Sequence, residues 1–268
     1  MENRSVMHIK IDGLIRLLMN NTLSGVLPLY LVTEYQKSGG TWVGQMLSEY
    51  LNLPFPRNRI PSLRSSVLHG HIMPTPFLKN VLCVYRDGRD TVVSSYFHML
   101  FESDKNSPHL VKKCRDDLRF SDYADVQANM PRFIEYLFTC HHKKTLLRWN
   151  QFTWSQFVDA WQPLNTASVK YENLIVDAAK EMKKAIEFLT GKPVDDSRLE
   201  EIVKKYSFEN QTKRKPGQED TKSFLRKGQA GDWKEKFNRE AAEVFNYYAG
   251  KQLILLDYEP DDTWVKSI

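Results

Sequence analysis

The chain has 268 residues, enough for one large α/β domain and too many for a peptide-scale module. Its 38 basic and 33 acidic side chains leave a net charge of +5, which argues against a polybasic nucleic-acid arm and suits a single anion-binding pocket; 41% apolar and 26% charged residues argue against global disorder. Cys83, Cys114 and Cys140 show no Cys-x-x-Cys spacing, which speaks against a disulfide framework or zinc ribbon and points to a reducing cytoplasm.

The first 27 residues form an N-terminal extension. The apolar stretch Ile9 to Val32 carries Asp12, Arg16, Asn20 and Asn21, which interrupt the apolar run of about 18 residues that a bilayer needs. It also lacks the order of basic, apolar and small-residue regions of a signal peptide. Mean hydropathy is −0.50. Leu27 to Tyr35 reads as a buried strand that runs into a turn, Gln36 to Thr41, and then a helix, Trp42 to Leu51. A proline-dotted connection spans Pro54 to Pro61. Val67 to His71 is a short strand and Asn80 to Tyr85 a convincing buried one. Arg86 to Asp90 reads as a turn and Thr91 to Phe101 as a helix.

Residues 102–160 read as mainly helical, with breaks at Asp104–Pro108 and Asn129–Pro131. Ala167 to Tyr171 is a further strand. Asp177 to Leu189 and Ser197 to Tyr206 are helices, the first closed by Gly191 and Pro193. Gln211 to Lys222, with Pro216-Gly217, is a mobile loop, and Asn238 caps a last helix, Arg239 to Leu255. Strands alternating with helices predict a single α/β domain, with a P-loop-like, mostly parallel central sheet flanked by helices.

A strand that feeds a glycine turn and then a helix is an anion trap: backbone N–H groups converge, and the helix N-terminus carries about half a positive charge. Gly39 and Gly40 admit close approach, Lys37 adds an ammonium, and Ser38 and Thr41 add hydroxyl donors. The order is not that of a Walker A loop, because the lysine precedes the glycines. Without further motifs the turn also reads as a helix cap that contains a lysine. Tyr35-Gln-Lys-Ser-Gly-Gly-Thr-Trp42 resembles the 5′-phosphosulfate loop, Tyr-Pro-Lys-Ser-Gly-Thr-Thr-Trp, of the sulfotransferases that use 3′-phosphoadenosine 5′-phosphosulfate (PAPS).

Two further segments carry the same resemblance. Tyr85-Arg-Asp-Gly-Arg-Asp-Thr-Val-Val-Ser-Ser-Tyr96 has the family's strand-end Arg86 with Ser94 eight positions later, a pair suited to a 3′-phosphate. Alone, Arg86 reads equally as an ion-pair partner of Asp87 or Asp90. Phe224-Leu-Arg-Lys-Gly-Gln-Ala-Gly-Asp-Trp-Lys234 is similar, without a mismatch, to the family's Arg-Lys-Gly-x-x-Gly-Asp-Trp-Lys segment. By that resemblance Phe224, Leu225, Arg226, Lys227 and Gly228 bind nucleotide, Phe224 lying on the adenine with Trp42. The resemblance runs from about residue 28 to 258 and implies PAPS as donor, its product 3′,5′-ADP (PAP), and no metal.

The resemblance also supplies candidate roles. Lys37 is the cation at the leaving phosphate. His71, in His69-Gly-His-Ile-Met, stands at the family's general base, where a near-neutral imidazole suits proton abstraction from a hydroxyl. A structural histidine and a His69–His71 metal pair are the competing readings, the latter without a third ligand. His69 stands where the family often has a lysine, and Gly40 where it has a threonine. Tyr171 and Ser207 match adenine-side positions, with core packing as the alternative for Tyr171. His98, His141 and His142 are weaker candidates, and Gln211 to Lys222 reads as a lid or as a plain surface loop.

The acceptor is less legible. Phe120, Tyr123, Phe133, Tyr136, Phe138, Trp149, Phe152, Trp154 and Phe157 line a pocket or pack a core, and Lys112, Lys113, Arg115, Lys143 and Lys144 attract an acidic glycan or form a solvated face. The expected partner is a small-molecule or glycan acceptor, with no nucleic acid and no membrane span. The short interval between His71 and Arg86 suggests a prokaryotic member. The rival functions are a P-loop-type nucleotide kinase or NTPase, and a non-catalytic anion-binding module.

Overall fold

The computed structural model describes residues 6–268 apart from 24, 25, 58, 60, 62, 104–107, 141–151 and 224. Phe224, His141, His142, Lys143, Lys144 and Trp149 therefore lie outside the described residues. Four strands, β1 (Leu29–Glu34), β2 (Ser66–Gly70), β3 (Val81–Tyr85) and β4 (Ala167–Lys170), pair in parallel in the order β2-β1-β3-β4. The strands read from sequence are all present, within one or two residues.

Both faces of the sheet are covered, as a parallel sheet requires. Along β3, Val81, Cys83 and Tyr85 join one apolar cluster while Leu82 and Val84 join the other. The second cluster is closed by α2 (Gly40–Leu51), α7 (Tyr171–Thr190) and α8 (Asp196–Lys205). The first is closed by α3 (Gly88–Leu100), α4 (Pro108–Leu118), α5 (Val126–Thr139), α6 (Trp154–Trp161) and α11 (Arg239–Leu255). Short helices α9 (Phe208–Thr212) and α10 (Trp233–Lys236) lie between α8 and α11 in the chain. Strand order reverses direction between β1 and β3, so the crevice at their carboxyl ends is where such a sheet binds ligand.

At the N-terminus, α1 (Val6–Leu18) continues into a π-helical turn, Met19–Leu23. Asp12 and Arg16 are both buried and paired at 2.7 Å; Arg16 also donates to the carbonyls of Pro56, Arg57 and Arg59. These two charges therefore dock the extension onto the proline-dotted connection. No helix among the described residues is long and apolar enough to cross a membrane.

Several boundaries differ from the sequence reading. The expected turn at Arg86–Asp90 is mostly helix, because Asp87 caps α3 by accepting from the Arg89 N–H at 2.9 Å. Asn129–Pro131 does not break α5. Proline withholds the N–H that would bond the Gln127 carbonyl, and Asn238 Nδ2 supplies a replacement at 3.2 Å. Helix α7 begins at Tyr171, not Asp177. Asp177 is a non-helical kink (φ −150°) whose Oδ1 accepts from Lys180 N at 2.9 Å, so the sequence reading caught the restart and missed the first turn.

The aromatic residues of the 102–160 region are packing residues. Phe133, Phe138, Phe152, Trp154 and Phe157 are buried in the first cluster, and Phe120, Tyr123 and Tyr136 pack against it. Lys112 and Lys113 form exposed pairs with Asp116 and Asp117, as a solvated helix face does. Arg115 instead lies over the Tyr123 ring at 4.4 Å.

Candidate active site

The phosphate-type turn follows β1 directly. Lys37 has φ 70° and Gly39 has φ 100°, so left-handed residues on either side of Ser38 curl the backbone around the start of α2. A Cβ on Gly39 would stand 2.8 Å from Tyr171 Cδ2, so position 39 demands glycine for space as well as for φ. Ser38 is buried and its Oγ has no hydrogen-bond partner among the described residues. Thr41 and Trp42 line the pocket; Trp42 stands edge-on to Tyr171 (6.3 Å, 73°), and its Nε1 is likewise buried without a partner.

Arg86 ties the separate segments together. It leaves β3 at the switch point and donates to the Lys37 carbonyl at 3.0 Å and to the Gln229 carbonyl at 3.4 Å. Its guanidinium lies 4.3 Å from the Tyr171 ring centre. One side chain thus touches the first turn, the third segment and the start of α7. Asp87 binds Arg89, while Arg86 forms a long ion pair with Asp90 at 3.9 Å, as the sequence allowed. Asp90 also accepts from Gly231 N (2.7 Å) and Trp233 N (3.0 Å), fastening the third segment to α3. Ser94, two turns along α3, faces the same pocket.

The third segment closes the other wall. Arg226 pairs with Glu219 and Asp232, Lys227 pairs with Asp232, and Leu225 lines the pocket beside them. Gly228 has φ 61°, and a Cβ there would collide with the Phe208 ring. The Gln211–Lys222 loop is hydrogen-bonded along this segment: Gly217 N to the Lys227 carbonyl (2.8 Å) and Asp220 N to the Arg226 carbonyl (2.9 Å). Ser207 is not brought to the pocket wall. Its hydroxyl caps α9 by accepting from Asn210 N at 3.3 Å, while its neighbours Tyr206 and Phe208 line the pocket.

His69 and His71 both reach Glu34. His71 Nδ1 lies 3.0 Å from the Glu34 carbonyl, and His69 Nε2 lies 3.0 Å from Glu34 Oε1. A carbonyl oxygen only accepts, so Nδ1 of His71 carries the hydrogen, and in the neutral ring Nε2 holds the free lone pair. Burial, opposed by Glu34, pushes His71 below its ordinary value of 6.5, so the ring is neutral near pH 7. Burial and then the nearby Arg86 push Lys37 down to about 8. His98, half-buried on α3, is pushed to about 4 by burial and by Lys37. Among the described residues, no group of three or more His, Cys, Asp or Glu side chains could hold a metal ion.

Sequence reading missed Glu34, Arg57, Phe208 and Gln229, which also line this pocket. The departures at Gly40 and His69 were the available signal for Glu34, because both positions contact that one acid.

A parallel α/β sheet with three basic segments converging at its switch point defines a protein that binds a phosphorylated anion. The chain belongs to the sulfotransferase family: residues 54–257 match the model of the Sulfotransferase domain. That match begins after the phosphosulfate-like turn, so the turn rests on its own geometry. Human Sulfotransferase 2A1 is 24% identical over 257 residues (81% of each chain), and bovine Sulfotransferase 1E1 is 26% identical over 269 (83% of this chain, 82% of the relative). The fold is similar to that of mouse sulfotransferase SULT7A1 complexed with PAP, with a TM-score of 0.60, 17% identity, and 89% and 87% of the two chains covered. It is also similar to retinol dehydratase in complex with androsterone and PAP, with a TM-score of 0.55, 16% identity, and 87% and 83% covered. The human, bovine and mouse proteins among these do not support a prokaryotic origin.

Proposed function

We propose that this protein transfers the sulfuryl group of PAPS to a hydroxyl or amine of a glycan, lipid or small natural product, with His71 as general base and Lys37 as the cation at the leaving phosphate. The observation that carries this reading is Arg86, whose guanidinium bridges the phosphosulfate-like turn, the Arg226–Gln229 segment and Tyr171 around one pocket.

The residues fit such a donor. Ser38 Oγ, Trp42 Nε1, Arg86 Nε and Arg226 Nε are buried polar atoms without hydrogen-bond partners among the described residues, and buried polar atoms in folded proteins ordinarily have them. Arg86, Arg226, Lys227 and Ser94 would hold the 3′-phosphate, and Trp42 with Tyr171 would flank the base. The N–H groups and hydroxyls from Ser38 to Thr41 would hold the 5′ side. When bound, the donor supplies a sulfuryl group activated by its bond to phosphate. Lys37 then stabilises charge on the departing phosphate oxygen, and His71 Nε2 takes the acceptor's proton. Arg226 also holds Glu219 of the Gln211–Lys222 loop, so that loop would close over bound nucleotide as a lid does. The androsterone and retinol seen with retinol dehydratase support a small alcohol as acceptor.

The test incubates the protein with PAPS and a panel of alcohols, phenols and sugars, and follows 3′,5′-ADP release with and without a chelator. Acceptor-dependent, chelator-insensitive release is expected. Magnesium-dependent ATP turnover without PAPS turnover would replace this reading with the kinase.

A further inference from the structure

Glu34 is 4% exposed at the carboxyl end of β1 and serves three partners at once. Oε2 accepts from Gly40 N at 2.5 Å, Oε1 from His69 Nε2 at 3.0 Å, and its backbone carbonyl from His71 Nδ1 at 3.0 Å. The carboxylate has room only because residue 40 is glycine. A Cβ there would stand 2.7 Å from Glu34 Cδ and 2.9 Å from His69 Nε2. The His69 ring in turn lies edge-on to His71, with centroids 5.5 Å apart.

An acid inside an anion site needs a reason. A carboxylate beside the phosphosulfate turn repels an anionic ligand, so it does not serve donor affinity. Its contacts run the other way, toward the histidines. Burial would raise the Glu34 carboxyl, but the His69 hydrogen bond, the positive charge that His69 and His71 carry when protonated, and the Gly40 N–H bring it below its ordinary value, so it is ionised. A fixed negative charge there favours the imidazolium that forms when His71 takes a proton.

We propose that Glu34, with Gly40 and His69 as matched counterparts, is a positioning residue of this site: it anchors the first turn of α2, holds His69 against His71, and sets a negative charge behind the base. The role of His71 as base rests on the function proposed above; the linkage of Glu34 to the ring does not. Within the described residues the charged or titratable groups acting on His71 are Glu34, His69 and Arg57. On Lys37, burial, Arg86, Arg226 and Arg57 lower the ammonium's pKa and Glu34 opposes them.

The test is an NMR titration of the full chain labelled with ¹⁵N-histidine, with His71 assigned through His71→Ala, beside calorimetric titration with 3′,5′-ADP at pH 7. Wild type is expected to show His71 protonated at Nδ1. In Glu34→Gln, which keeps a side-chain oxygen for the Gly40 N–H and removes the charge, the His71 midpoint is expected to fall. An unchanged or raised midpoint overturns the proposal. Gly40→Ala is expected to weaken 3′,5′-ADP about tenfold or more, and Glu34→Ala in that background to restore most of the loss; additive losses overturn the pairing. If Glu34→Gln does not fold, His69→Gln leaves the acid without its ring partner and is expected to raise the His71 midpoint; an unchanged midpoint overturns the proposal. Wild type that binds no 3′,5′-ADP would remove the PAPS reading, and the His71 midpoints would still decide the role of Glu34.

Discussion

Lys37 is the residue whose chemistry the site changes most visibly. Its ammonium is pushed down to about 8 by burial first and then by Arg86, while Glu34 opposes the shift and Arg226 and Arg57 reinforce it. An anionic ligand binds the protonated form, so 3′,5′-ADP affinity should be flat below pH 8 and fall above it, by up to about tenfold per pH unit. In Lys37→Arg, calorimetry should find that fall abolished, because guanidinium stays charged. Lys37→Ala should lower turnover by about 10²–10³, the usual cost of one donor at a developing oxyanion. His71→Ala should abolish turnover and still bind 3′,5′-ADP. Because His71 is depressed below 6.5, the acid limb of the wild-type rate should lie below that pH. Lys37, His71 and Arg86 were legible as candidates because their types and spacings recur as motifs. Glu34 was not, because its role appears only when β1 and β2 pair, with Val32 opposite His69. Ser207 carries a local role besides the one read for it, since a serine before a short helix caps it.

Among the elements, the decisive one is α3 with the segment it fastens. Asp90 is buried and holds the N–H groups of Gly231 and Trp233. Asp90→Ala would leave both N–H groups unpaired at about 1–3 kcal/mol each. Calorimetry should then show Tm lower by several degrees, at about 2–4 °C per kcal/mol for a chain this size, with weaker 3′,5′-ADP binding. The start of α2 makes a second case. Gly39→Ala would combine a φ of 100° with a 2.8 Å approach to Tyr171, so it should lose nucleotide binding even where the fold survives. Helix existence was readable from periodicity, and most ends from their caps. The starts of α3 and α7 turned on local caps, at Asp87 and Asp177, but other features depended on distant partners. Trp154 and Phe245 close over Gly88, and Asn238 rescues the Gln127 carbonyl beside Pro131. No local pattern carries that information.

At the scale of the molecule, alternation of strands and helices was enough for the α/β class, but strand order was not readable, since it depends on which face each crossover covers. That order places the Lys37 turn and Arg86 on neighbouring strand ends, and α11 and α6 behind them. The aromatic richness of the 102–160 region, ambiguous in the sequence, is the packing of that back layer. The proposed function requires that this crevice take a nucleotide with a 3′-phosphate. The most direct test is a thermal-shift titration with 3′,5′-ADP beside 5′-ADP and ATP–Mg²⁺. Near 100 times Kd, 3′,5′-ADP should add about 2.7 kcal/mol, a rise of several degrees, with the other two nearly silent. A shift with ATP–Mg²⁺ alone would contradict the account.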